Sequence, residues 1–109
     1  MHIPKAAGLS VCSAVYGGKA GGHTPISTYQ LVFSKREFSS YWKFTVVRNP
    51  WDRLFSAYSF LKNGGINEND RNFSGAVLDK YKSFEEFVIE WASTYNMNRY
   101  LHFMPQLYF

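Results

Sequence analysis

An α/β fold, with a parallel sheet flanked by helices, is what the order of patterns along this chain predicts. Two short apolar runs, Met1 to Ile3 and Phe44-Thr45-Val46-Val47, read as buried strands. Each is followed by a tight loop or turn, and then by a segment whose apolar residues recur at helical spacing. Two strands are too few for a stable open sheet. The 109 residues are therefore expected to form a single domain, residues 1–109, that is an incomplete part of a larger sheet domain.

The elements follow in order. Pro4-Lys5-Ala6-Ala7-Gly8 is the loop after the first strand, and Leu9 to Tyr16 read as a helix with Leu9, Cys12, Ala14 and Val15 apolar. Gly17-Gly18-Lys19-Ala20-Gly21-Gly22 breaks that helix. It follows no strand and lacks the dinucleotide spacing, so it reads as a flexible connector. Thr24-Pro25 offers a hydroxyl cap and a proline for the first helical position, which predicts a helix from Pro25 to about Val32. Asn49-Pro50 stops the second strand and opens a helix in which Trp51, Leu54, Phe55, Tyr58 and Leu61 form one face, with Trp51 and Tyr58 read as core. Asn63-Gly64-Gly65 ends it. Ile66 to Tyr81 is polar and turn-rich and reads as a surface loop with some helical content. Ser83 then caps a helix, with Glu86 closing a capping box and Phe84, Phe87, Val88 and Trp91 on one face. The tail leaves the helical pattern at Pro105.

Composition bounds the function. With 46% hydrophobic and 19% aromatic residues, the chain can bury a core and is not a disordered tail. No apolar run reaches the ~18 residues of a membrane span, and no signal peptide is visible at the start. Membrane association is expected only through segments not in this chain. The net charge of +4 and a pI of about 9.3 suit an anionic ligand. No basic run or nucleic-acid motif is present, so nucleic acid is not an expected partner. The single cysteine, Cys12, excludes an internal disulfide or a cysteine-based zinc site and is expected to be packed. No metal is expected.

Two motifs carry chemistry. In Ile3-Pro4-Lys5-Ala6-Ala7-Gly8-Leu9-Ser10, a strand feeds a small-residue loop with a lysine, and a helix then begins. The first-turn N–H groups of that helix and its dipole form an anion site. Ala6, Ala7 and Gly8 would let a phosphate approach the backbone, Lys5 adds charge and Ser10 a hydroxyl. The spacing required for a Walker loop is absent, which disfavours ordinary ATP or GTP hydrolysis. The plain alternative is a strand-to-helix turn with a solvated lysine. The second motif runs from Val46 to Tyr58. Arg48 lies at a strand exit, where ligands of open α/β sheets collect, and Ser56 lies within the next helix. An arginine fork and a hydroxyl can grip one terminal phosphate. Asp52 and Arg53 read as a structural ion pair or cap.

Together, "IPKAAGLS" and "FTVVRNPWDRLFSAY" resemble the two donor-binding motifs of sulfotransferases that use 3′-phosphoadenosine 5′-phosphosulfate (PAPS). The resemblance is to the carbohydrate-type branch, sulfotransferase family 2. It implies a P-loop NTPase-like sheet and transfer of a sulfuryl group from PAPS to a hydroxyl acceptor, a glycan. It also implies that Lys5, Ala6, Ala7, Gly8, Leu9 and Ser10 hold the 5′-phosphosulfate and that Arg48 and Ser56 hold the 3′-phosphate. That family's loop often has Thr where Ala6 and Leu9 stand, so backbone N–H groups must do more here.

Charge sets the expected mechanism. Lys5 is placed to stabilise the departing phosphate oxygen, and the acceptor hydroxyl needs a general base. His23, before Thr24-Pro25, is chosen as that base, with an exposed loop histidine as the alternative. His2 reads as packed within the first strand. His102 is a weaker candidate, in a His-x-x-Pro-Gln tail that also resembles the family. Glu85, Glu86 and Glu90 read as the wet face of a helix. Two rival readings stay open: an ATP-dependent P-loop kinase-like enzyme, and an inactive anion-binding fragment. The compartment is open too, cytoplasmic for a bacterial enzyme and Golgi membrane for a eukaryotic one.

Overall fold

A computed structural model describes residues 2–18 and 22–109. They contain α1 (Gly8–Tyr16), α2 (Ile26–Val32), α3 (Lys35–Ser40), α4 (Pro50–Lys62), α5 (Glu68–Ala76), α6 (Phe84–Glu90) and α7 (Thr94–Met97), with 3-10 turns at Leu78–Lys80 and Gln106–Tyr108. The chain divides into two compact units, residues 1–48 with 105–109, and residues 49–104.

No strand forms among the described residues, and the expected parallel sheet is corrected to an all-helical architecture. The physical reason lies at Phe44–Val47. These residues are exposed, Val47 at 67%, and no backbone ladder pairs them. β-Branched side chains favour a pleated surface only where a neighbouring strand and a core receive them. Ile3 is buried, yet His2 and Ile3 pair with no strand either.

In the first unit, α1 ends on Gly17, whose φ of 70° and N–H bond to the Ser13 carbonyl close the helix. Residues 19–21 of the expected glycine-rich break lie outside the described residues. The helix α2 starts after Pro25, and Thr24 provides no side-chain cap. The helix α3 is set by a capping box in which the Ser34 hydroxyl accepts from the Glu37 N–H and Glu37 accepts from the Ser34 N–H.

The second unit is built on α4. Asn49 Oδ1 accepts from the Trp51 N–H at 3.0 Å, and Pro50 occupies the first turn. Leu54, Ala57, Tyr58 and Leu61 form its buried face against Leu78, Phe87 and Phe103. Each large side chain buried there contributes about 1.5–3 kcal/mol. Trp51, expected in the core, is 75% exposed. The stretch expected as a surface loop holds α5 and delivers the fully buried Leu78. Ser83 caps α6 as expected by accepting from the Glu86 N–H, but the Glu86 carboxylate takes the Lys82 N–H, so the box does not close on Ser83.

Candidate active site

The loop before α1 is a tight turn. Ile3, Pro4 and Ala6 are buried and anchor it, and the Ala6 N–H donates to the Ile3 carbonyl at 3.3 Å. Lys5 and Ala7 stand at φ +62° and +60°, a left-handed conformation that costs a non-glycine residue about 1–2 kcal/mol. Two such residues reverse the chain sharply enough for α1 to start at Gly8. Ala7 supplies no side-chain cap. The N–H groups of Gly8, Leu9 and Ser10 have no acceptor among the described hydrogen bonds, and they carry the positive end of the helix dipole. Lys5 is half-buried, and Ala7, Leu9 and Ser10 are exposed.

The missing side chain of Gly8 makes room for a neighbouring ring. A Cβ there would lie 2.0 Å from Cδ2 of His2. The room above its Cα is filled by the His2 ring, so an anion would meet Gly8 at its N–H.

His23 stands beside this loop. Its Nδ1 is 3.0 Å from the His2 carbonyl oxygen, and the two rings meet edge to face with centroids 4.5 Å apart. A carbonyl oxygen only accepts, so Nδ1 carries the hydrogen, and Nε2 carries the lone pair of the neutral ring. Burial, followed by the proximity of His23, pushes the His2 imidazole below its ordinary pKa. His2 is half-buried against Gly8, which agrees with its reading as a packed residue.

Arg48 ends the first stretch of the first unit, which residues 105–109 rejoin. Its side chain is exposed, while its backbone is held on both sides by the Gln106 carboxamide: the Arg48 N–H donates to Oε1 at 2.9 Å, and Nε2 donates to the Arg48 carbonyl at 2.8 Å. Ser56 lies half-buried on α4, in the second unit. Arg53 is the structural arginine of the same motif. It is 5% exposed and donates to the main-chain carbonyls of His102, Phe103 and Met104.

His102 is engaged by Asp70, with Nε2 3.3 Å from Oδ1. This pair belongs to the packing of the second unit, together with Phe60, whose ring centroid lies 5.2 Å from that of His102. Glu85 and Glu90 are exposed, and Cys12 is buried. No cluster of three metal-ligating side chains occurs among the described residues. A cavity of about 250 Å³ opens beside the loop within the first unit, lined by His2, Ala6, Gly8 and a set of aromatics that includes Tyr29, Phe38 and Trp42. Sequence reasoning missed two structural relations, the His2 ring on Gly8 and the Gln106 lock on Arg48. The only signal for the second was the Pro-Gln pair in the tail.

The structure thus presents an exposed arginine held by its backbone and, separately, a lysine loop ahead of the α1 N-terminus. The model of the sulfotransferase family matches residues 22–109, and the chain belongs to that family. The match contains His23, Arg48 and Ser56 and begins after the Lys5–Ser10 loop. Members of this family transfer a sulfuryl group, generally from PAPS, to a hydroxyl acceptor. No curated protein and no solved structure matches the chain.

Proposed function

We propose that residues 1–109 are the donor-binding part of a single sulfotransferase domain that takes PAPS as donor and a carbohydrate hydroxyl as acceptor. The observation that carries this reading is the family match across the segment containing Arg48, whose guanidinium is exposed while its backbone is fixed. The carbohydrate acceptor rests on the likeness of the Lys5–Ser10 loop to the carbohydrate-type branch.

The N–H groups of Gly8, Leu9 and Ser10 and the Lys5 ammonium bind the 5′-phosphosulfate. Arg48 binds the 3′-phosphate by its planar fork. The acceptor oxygen attacks sulfur, and the bond from sulfur to the bridging oxygen breaks. The electron pair stays on the departing 5′-phosphate, where Lys5 and the helix N–H groups stabilise it. Nε2 of His23 receives the acceptor proton, its tautomer set by the His2 carbonyl. No metal takes part in this scheme.

The test is a donor-dependent ³⁵S transfer assay against a panel of glycans, joined to calorimetry with adenosine 3′,5′-bisphosphate (PAP). Arg48→Ala should weaken PAP binding by about tenfold or more, the loss of one charge-assisted contact. Equal affinity would remove the 3′-phosphate assignment. Lys5→Ala should lower turnover far more than donor affinity, and unchanged turnover would remove its catalytic role.

A further inference from the structure

Arg48 has a partner that no phosphate motif would suggest. Gln106 lies 58 residues further along the chain, within the same compact unit. Its carboxamide accepts from the Arg48 N–H and donates to the Arg48 carbonyl, at 2.9 and 2.8 Å. A carboxamide offers a donor and an acceptor side by side at that spacing. One residue exchanging both of its backbone groups with one partner is the pattern of a hydrogen-bonded pair in an antiparallel ladder. In that arrangement the side chain projects out of the plane of the hydrogen bonds. The lock therefore fixes the Arg48 backbone and leaves the guanidinium outside it.

Gln106 is itself held. It opens the 3-10 turn Gln106–Tyr108, in which the Tyr108 N–H bonds to the Pro105 carbonyl and the Phe109 N–H to the Gln106 carbonyl. Phe109 is buried, and its main-chain oxygen accepts from the Ile26 N–H at 3.0 Å at the start of α2. The short tail is thus tied at one end to the backbone of Arg48 and at the other to α2, just after His23.

We propose that Gln106 is a positioning residue for donor binding: its two hydrogen bonds hold the Arg48 backbone so that the guanidinium meets the 3′-phosphate of the nucleotide. The proposal rests on the assignment of Arg48 to that phosphate. It also requires that Gln106 itself make no phosphate contact.

The experiment measures binding of PAP, and of adenosine 5′-phosphate, which lacks the 3′-phosphate. It uses the full chain and four variants: Gln106→Ala, Gln106→Glu, Arg48→Ala, and Arg48→Ala with Gln106→Ala. Gln106→Ala should weaken PAP by about five- to tenfold, within the usual range for coupled neighbours, and leave adenosine 5′-phosphate unchanged. Gln106→Glu keeps the acceptor but sets a carboxylate oxygen against the Arg48 carbonyl and adds a negative charge near the 3′-phosphate, so it should weaken PAP at least as much as the alanine variant and again leave adenosine 5′-phosphate the less affected. It also provides a folded control should the alanine variant misfold. In the Arg48→Ala background, Gln106→Ala should cost nothing further. Multiplicative losses in the double variant, or equal weakening of both nucleotides, would overturn the positioning role. Weakening by Arg48→Ala with no effect of either Gln106 variant would overturn it too, while leaving the 3′-phosphate assignment intact. Arg48→Ala with undiminished PAP affinity would overturn both.

Discussion

Replacing Arg53 with methionine separates the structural arginine of the second motif from the binding one. Methionine keeps the apolar stem and removes the guanidinium, which is 5% exposed and donates to three main-chain carbonyls. A hydrogen bond from a charged donor nets about 1.5–3 kcal/mol. Two of these contacts are long, at 3.3 and 3.4 Å, and count toward the low end. Against them stands the cost of burying the charge, the same desolvation that lowers the Arg53 pKa. His102 and Met104 are only partly buried, so water can serve some of the orphaned carbonyls. The balance is a loss of about 3 kcal/mol, roughly 150-fold in the folded-to-unfolded ratio. With a urea m-value of about 1.5 kcal/mol/M, the midpoint should fall by about 2 M. Arg48→Ala, at an exposed side chain, should stay within about 0.5 kcal/mol of the parent. Urea unfolding followed by tryptophan fluorescence and circular dichroism reads both. An Arg53→Met midpoint within about 0.3 M of the parent, or an equal fall for Arg48→Ala, would refute this division of labour.

Leu61→Ala, at a side chain with no exposed surface in the core of the second unit, should cost about 2–5 kcal/mol and lower the melting temperature by roughly 10–20 °C, read by calorimetry. Gly8→Ala places a Cβ 2.0 Å from the His2 ring. It should cost about 1–3 kcal/mol and move the imidazole resonances of both His2 and His23; unmoved resonances would show that the ring does not rest on Gly8. Burial raises the Asp70 pKa, but the Ile66 N–H and His102 outweigh it, so the folded pKa lies below the ordinary value. Its contribution to stability is then present in full above the unfolded carboxylate pKa of about 3.9 and is lost as pH falls through the lower folded value. The stability gap between the parent and Asp70→Asn should therefore narrow on acidification, and a gap independent of pH would contradict this.

Helix starts were legible because their signals are local. Asn49-Pro50 and Ser83 carry their caps within a few residues. Ser34 and Glu37 carry a full capping box too, so α3 was open to the same reasoning. The apolar spacing over Leu54, Tyr58 and Leu61 placed the buried face of α4, and Arg53, read as structural, is buried with its guanidinium on main-chain carbonyls. The rest depends on partners far away in the chain. Arg53 is satisfied by carbonyls about fifty residues on, and Asp70 by a histidine 32 residues on. No spacing rule reaches that far. The Phe44–Val47 run fails as a strand for the same reason. β-Branching records a preference for a pleated surface but cannot supply the neighbour that makes one. At Arg48 that neighbour is a single carboxamide, which satisfies one residue's N–H and C=O. A side chain has only one such pair of groups, so the pairing ends there instead of propagating into a ladder. The same limit leaves the adjoining Val46 and Val47 exposed, with the guanidinium of Arg48 standing clear of the lock.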